Sequence, residues 1–287
     1  IMDKLISFSL PLMLSGILQL MFNAVDIIVV GRFSGSQALA AVGSTSALIN
    51  VFTNLFIGIS LGANVLTARF YAAGREKEVS ETVHTAITLA LVSGIVMALV
   101  GLVFSRGALA LMGTPDDVIE LSALYLRIYF LGMPFFMLYN YGAAILRAVG
   151  DTKRPLLFLM IAGVINACLN MVLVIVFKLG VAGVAIATVI SQMISCVLVL
   201  RCLCRSESSY RLRFSELGMK GYYLKQIFSV GVPAGIQSTV INFSNVLLQS
   251  SVNSFGSTAM AGYTAANNLL GFLYVSVNSI TQACMSF

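Results

Sequence analysis

The sequence predicts an all-α polytopic membrane protein: a six-helix first lobe followed by the first two helices of a second, parallel-repeat lobe. Three observations predict it. The 287 residues are 59% hydrophobic and only 10% charged, with a mean hydropathy of +0.96, whereas a soluble domain carries roughly 25% charge. Apolar runs of about 20 residues, the length a bilayer requires, recur from one end of the chain to the other. The Lys and Arg residues gather in alternate connections between those runs, where the positive-inside rule places them. A secretory signal would be a single short run near the N-terminus, and barrel strands would alternate strictly over about 10 residues. Neither pattern is present.

Eight spans follow in order, at about 5–31, 39–71, 82–111, 118–145, 155–177, 182–204, 222–253 and 258–287. Connections from odd to even spans hold only Arg32, Arg106 and Lys178 as basic residues. Connections from even to odd spans, with Lys4, hold thirteen: among them Arg69, Arg75, Arg147, Arg154, Arg205 and Arg211. The N-terminus and the second set of connections are therefore expected on the cytoplasmic face of the cell's inner (plasma) membrane. Arg127, inside the fourth span, reads as snorkelling to the interface. The net charge of +6 is accounted for by this topology, so no nucleic-acid partner is expected.

The longest polar stretch, Arg205 to Gly221, divides six spans from two. Domain boundaries are expected at 1–205 for the first lobe, 206–221 for a cytoplasmic linker and 222–287 for the start of the second lobe. A repeat crosses that divider. Pro11 opens the first span and Pro233 the seventh; Asn23 and Asn245 each lie twelve residues beyond their proline. Both copies start on the basic side, so the repeat is parallel, a signature of secondary transporters with the solute path between the halves. Because the second copy holds two spans and the first six, the chain reads as twelve spans cut after the eighth, with both ends cut.

The first span carries one carboxylate, Asp26, about five residues before the outer loop, which at 1.5 Å per residue is roughly 8 Å inside. A carboxylate in hydrocarbon costs ~2.5–3.5 kcal/mol on insertion scales, so a sequence that keeps one has a use for its charge or its proton. It could hold a proton or a sodium ion, given oxygen ligands nearby, or it could pair with Arg32 at the interface. In the fifth span Asn166 and Asn170 are four apart and share one helix face, as ion ligands or as interhelical hydrogen-bonding groups. Thr188, in the small-residue run of the sixth span, says nothing by itself. Gln19, Asn23, Asn50, Gln237, Asn242 and Asn245 are amides inside spans, and Tyr139 is an aromatic neighbour. They are candidates for lining a hydrated path that tolerates varied organic solutes.

Several chemistries are excluded. No GxxxxGK[ST] loop for nucleotide phosphates is present. One histidine and five cysteines without ligand spacing give no resident metal centre, and no catalytic triad or carboxylate pair lies in a span. The protein is thus expected not to be an enzyme, to need no cofactor beyond a coupling ion, and to draw its energy from an ion gradient.

Three stretches resemble a known family, the multidrug and toxic compound extrusion (MATE) transporters. They are Pro11 to Asp26 with Gly31-Arg32 and Ala38 to Gly43; Leu146 to Pro155, LRAVGDTKRP; and Gly231 to Gly235, GVPAG. The resemblance implies twelve helices in two lobes and a monomeric antiporter. It would export amphipathic, often cationic, organic compounds in exchange for H⁺ or Na⁺. It also implies that Asp26 binds the coupling proton or sodium ion, with Asn166, Asn170 and Thr188 as its partners. Some members have Asp where Asn170 stands, which leaves the choice of ion open. A lipid-linked precursor flippase of a related class and a non-transporting membrane fragment are the alternatives.

Overall fold

The computed structural model describes residues 2–111, 116–253, 270, 273–275 and 277–281. Over the described residues up to Asn253, the α-helices are, in order, α1 (Met2–Phe33), α2 (Ser36–Ala72), α3 (Glu76–Leu111), α4 (Asp116–Leu131), α5 (Met133–Ala148), α6 (Lys153–Asn170), α7 (Gly180–Arg205) and α8 (Gly221–Asn253). A π-helical turn, Met171–Val176, prolongs α6, and a short 3₁₀ turn, Phe214–Glu216, lies between α7 and α8. No strand occurs among the described residues.

Among the described residues, five stretches are long and apolar enough to cross a membrane: Ser9–Phe33, Leu48–Ala72, Glu76–Leu111, Lys153–Val176 and Gly180–Arg205. Counting α4 and α5 as one broken span makes six. This corrects the expectation of an unbroken fourth span, because α4 and α5 meet at an angle of 48°. The cause is local. Proline has no N–H and clashes with the carbonyl four residues before it, so it belongs in the first turn of a helix. Pro134 takes that place in α5, and the amides of Phe135 and Phe136 both converge on the Gly132 carbonyl. The seventh expected span is one 33-residue helix, α8. It falls outside the count of apolar spans, its apolar run being diluted by Gln237, Asn242, Asn245 and Gln249. The eighth, 258–287, lies almost wholly outside the described residues.

The packing is that of a protein immersed in lipid. Large apolar side chains stand outward, Val103 at 72% exposure and Leu111 at 91%. The interior holds small polar ones, including Thr45, Thr53, Ser60, Thr67, Ser122 and Ser195. Four of these hydroxyls bond to a carbonyl of their own helix: Thr45 donates to Val42 at 2.8 Å, Thr53 to Ile49 at 2.7 Å, Ser60 to Ile57 at 2.7 Å and Ser195 to Gln192 at 2.9 Å.

Helix α8 packs chiefly on α2, backbone against backbone. A Cβ at Gly58 would overlap Gly235, and one at Gly231 would stand 2.5 Å from the Ile59 Cα. Gly58 and Gly62 on one helix and Gly231 and Gly235 on the other thus form a seam that only glycine fits, the small-residue crossing expected between membrane helices.

The connections predicted to share one face do meet. Tyr71 at the end of α2 packs edge-on against Tyr210 of the α7–α8 connector, with centroids 6.3 Å apart. Arg154 reaches Cys202 at 3.5 Å, and Lys220 pairs with Glu81.

Candidate functional site

Three helices bring Asp26, Asn166, Asn170 and Thr188 together. Gly163 sets the distance between two of them. A Cβ there would overlap the ring of Phe22, so Phe22 of α1 beds directly onto the α6 backbone. One turn beyond Phe22 stands Asp26; two turns beyond Gly163 stands Asn170. Because α1 and α6 lie this close, the two side chains touch: the Asn170 amide nitrogen donates to Asp26 Oδ1.

The same nitrogen also donates to Asn166 Oδ1 at 3.1 Å, the four-residue spacing acting as the sequence implied. The Asn166 amide donates in turn to Thr188 Oγ1 at 3.4 Å, and that hydroxyl donates to the Val184 carbonyl at 2.9 Å. A directed chain of hydrogen bonds therefore joins α1, α6 and α7. Asp26 is 8% exposed, Asn166 5% and Asn170 0%. Arg32 is exposed, and the partner of Asp26 is Asn170 rather than that guanidinium.

Asn170 Nδ2 serves two acceptors, which fixes the orientation of its amide, and Asn170 Oδ1 is then buried with no partner among the described residues. A buried acceptor without a donor is costly, so an unpaired oxygen beside a carboxylate is ready to accept a proton donor or a cation. The π-helical turn begins at the next residue, Met171; such turns recur at functional sites.

The path candidates divide. Gln19 and Asn23 on α1, Asn50 on α2 and Gln237 on α8 are all exposed. The side chains of Asn242 and Asn245 lie outside the described residues. Tyr139 has another engagement: it is 8% exposed and its hydroxyl donates to the Pro155 carbonyl at 3.1 Å, tying α5 to the first turn of α6. Tyr125 and Tyr129 were missed. They stack with centroids 6.1 Å apart and lie within electrostatic reach of Asp26. Their four-residue spacing in SALYLRIYF was the available signal.

No group of three or more His, Cys, Asp or Glu side chains suited to a metal occurs among the described residues. The donors around Asp26 are one carboxylate, two amides and a hydroxyl.

Apolar helices that enclose a carboxylate held by an amide make this a polytopic membrane protein with a buried polar site, and comparison with known proteins gives its family. The MatE family matches residues 11–172, more than half the chain, and the chain belongs to that family. It is 36% identical over 289 residues to the probable multidrug resistance protein YoeA of Bacillus subtilis, covering 98% of this chain and 62% of that protein. It is 30% identical over 270 residues to the probable multidrug resistance protein YpnP of the same organism, covering 94% and 60%. The chain thus spans about three-fifths of the length of these curated relatives. A multidrug resistance MATE family transporter of the MOP superfamily, solved outward-facing, shares the fold with a TM-score of 0.91 and 23% identity, over 99% of this chain and 63% of that one.

Proposed function

We propose that the chain works within a cation-coupled exporter, in which Asp26 exchanges H⁺ or Na⁺ against an amphipathic, often cationic, organic solute. The observation that carries this reading is the Asp26–Asn170–Asn166–Thr188 chain, with the unpaired Asn170 oxygen at its head. Asn170 as it stands offers a donor, which suits a carboxylate without its ion. A proton on Asp26 makes one oxygen a donor, and a sodium ion seeks oxygen ligands. Either arrival is met by turning the Asn170 amide over, which brings its free oxygen to the ion and hands the nitrogen elsewhere. Asn166 and Thr188 then adjust in sequence, so that loading at α1 is felt at α7.

The solute path runs along the exposed amides Gln19, Asn23, Asn50 and Gln237. Amides left in hydrocarbon would be unsatisfied, so these side chains suit water and a polar solute. Similarity to proteins described as multidrug resistance proteins supports a broad solute class. The protein acts as a monomer in the plasma membrane, with its N-terminus in the cytoplasm and with neither nucleic acid nor enzymatic turnover in its work.

Ethidium efflux from proteoliposomes, driven in turn by an imposed proton gradient and an imposed sodium gradient, tests this. Efflux under one gradient and not without it is the expected result. No efflux under either overturns the reading for this chain and leaves a non-transporting membrane fragment.

A further inference from the structure

The connector between α7 and α8, residues 206–220, lies on the first turns of α3, and His84 is the point where it is fastened. His84 is the single histidine of the chain and is 4% exposed. Its Nδ1 lies 2.7 Å from the Ser80 carbonyl oxygen, which can only accept. Its Nε2 lies 3.0 Å from the Arg213 backbone nitrogen, which can only donate. These two partners fix the tautomer: the proton is on Nδ1 and Nε2 is bare. Alongside, the Lys220 amide donates to Thr85 Oγ1 at 3.4 Å, and the Lys220 ammonium pairs with Glu81. The Leu212 amide folds back on the Leu203 carbonyl at 3.2 Å. Helix α8 begins at the residue after Lys220, so these contacts also hold its basic end.

We propose that His84 is a proton-sensitive clasp: neutral, it accepts the Arg213 N–H and holds the connector on α3; protonated, it gives up that N–H and turns to Glu216. A protonated ring has donors on both nitrogens. Its Nε2–H would then meet the Arg213 N–H, two donors facing one another, while the bond to Ser80 is kept in both states. Glu216 Oε2 stands 3.9 Å from the same Nε2 and is the acceptor within reach. At present Glu216 is held by the Arg213 guanidinium at 2.9 Å, so a charged ring and a guanidinium compete for one carboxylate. Of the other charges on this part of α3, Glu78 is paired with Arg75 and Glu81 with Lys220. On α8 the facing titratable group is Tyr223, near Glu78, Glu81 and Lys220. Protonation therefore moves the turn Phe214–Glu216 and loosens the connector that ties α8 to α3.

The test is amide hydrogen exchange at Arg213 in the 287-residue chain in lipid nanodiscs, read as a protection factor corrected for the intrinsic pH dependence of exchange. Between pH 8 and pH 5 the wild type should lose about tenfold or more of its protection at Arg213, the loss of one hydrogen bond. His84→Gln keeps an acceptor that does not titrate, and its protection should stay flat across that range. His84→Leu should be unprotected at both ends. Constant protection in the wild type overturns the proposal, and so does an equal fall in His84→Gln.

Discussion

Asn170 carries more of the site than its neutral side chain suggests. One amide nitrogen serves both Asp26 and Asn166. Removing it leaves a buried carboxylate and a buried amide oxygen without their donor, at a cost of about 1–3 kcal/mol. Asn170→Ala is thus expected to lower the thermal midpoint and to reduce ion-driven ethidium efflux by about tenfold or more. Tyr139→Phe makes the contrast. It removes the bond to the Pro155 carbonyl and should cost about 0.5–1.5 kcal/mol of stability, with efflux retained. Loss of efflux at normal stability would return Tyr139 to the solute path. Asp26 was legible because a carboxylate in a span is hard to explain otherwise, and Asn166 with Asn170 because four-residue spacing puts two side chains on one face. The duty of Tyr139 was not legible, since the sequence does not say which carbonyl its hydroxyl will find.

Helix placement rests on where backbones come together. Phe22 lies on Gly163 with no room for a side chain, and this sets Asp26 opposite Asn170. Gly163→Val should push Phe22 away, separate α1 from α6 and depress efflux and thermal midpoint together. Phe22→Ala in the same chain should recover part of both losses, because the two residues are in contact and their effects do not add. A double variant no better than Gly163→Val would deny that this contact positions the site. Six of the predicted runs recur as apolar spans, one of them broken. Hydropathy saw the fourth as one run because a 48° bend changes no side chain's polarity; Gly132 and Pro134 were the signs of it. The π-helical turn after Asn170 has no such marker, being a matter of backbone register.

At the scale of the whole molecule, the repeat and the charge bias make claims that no single helix can test. The glycine seam between α2 and α8 joins the first six spans to the start of the second copy. The basic connections lie together at one end, as alternating topology requires. With the native cysteines replaced, a cysteine at Ser208 should react with a membrane-impermeant maleimide only from the cytoplasmic side, and one at Ser34 only from outside. The reverse labelling would invert the orientation. The sequence was informative here because charge distribution is a property of the entire chain. The repeat is asymmetric, with a carboxylate at Asp26 and leucines at Leu247 and Leu248 in the corresponding part of α8, so the proposed coupling at Asp26 has no counterpart carboxylate there. That leads to the most direct measurement of all: efflux by Asp26→Asn in proteoliposomes under whichever ion gradient drives the wild type. The amide keeps the shape and the hydrogen-bonding capacity of the site but neither gains nor loses a proton. Efflux should fall to the level of protein-free vesicles while the protein inserts and melts as the wild type does; efflux at the wild-type rate would contradict the account.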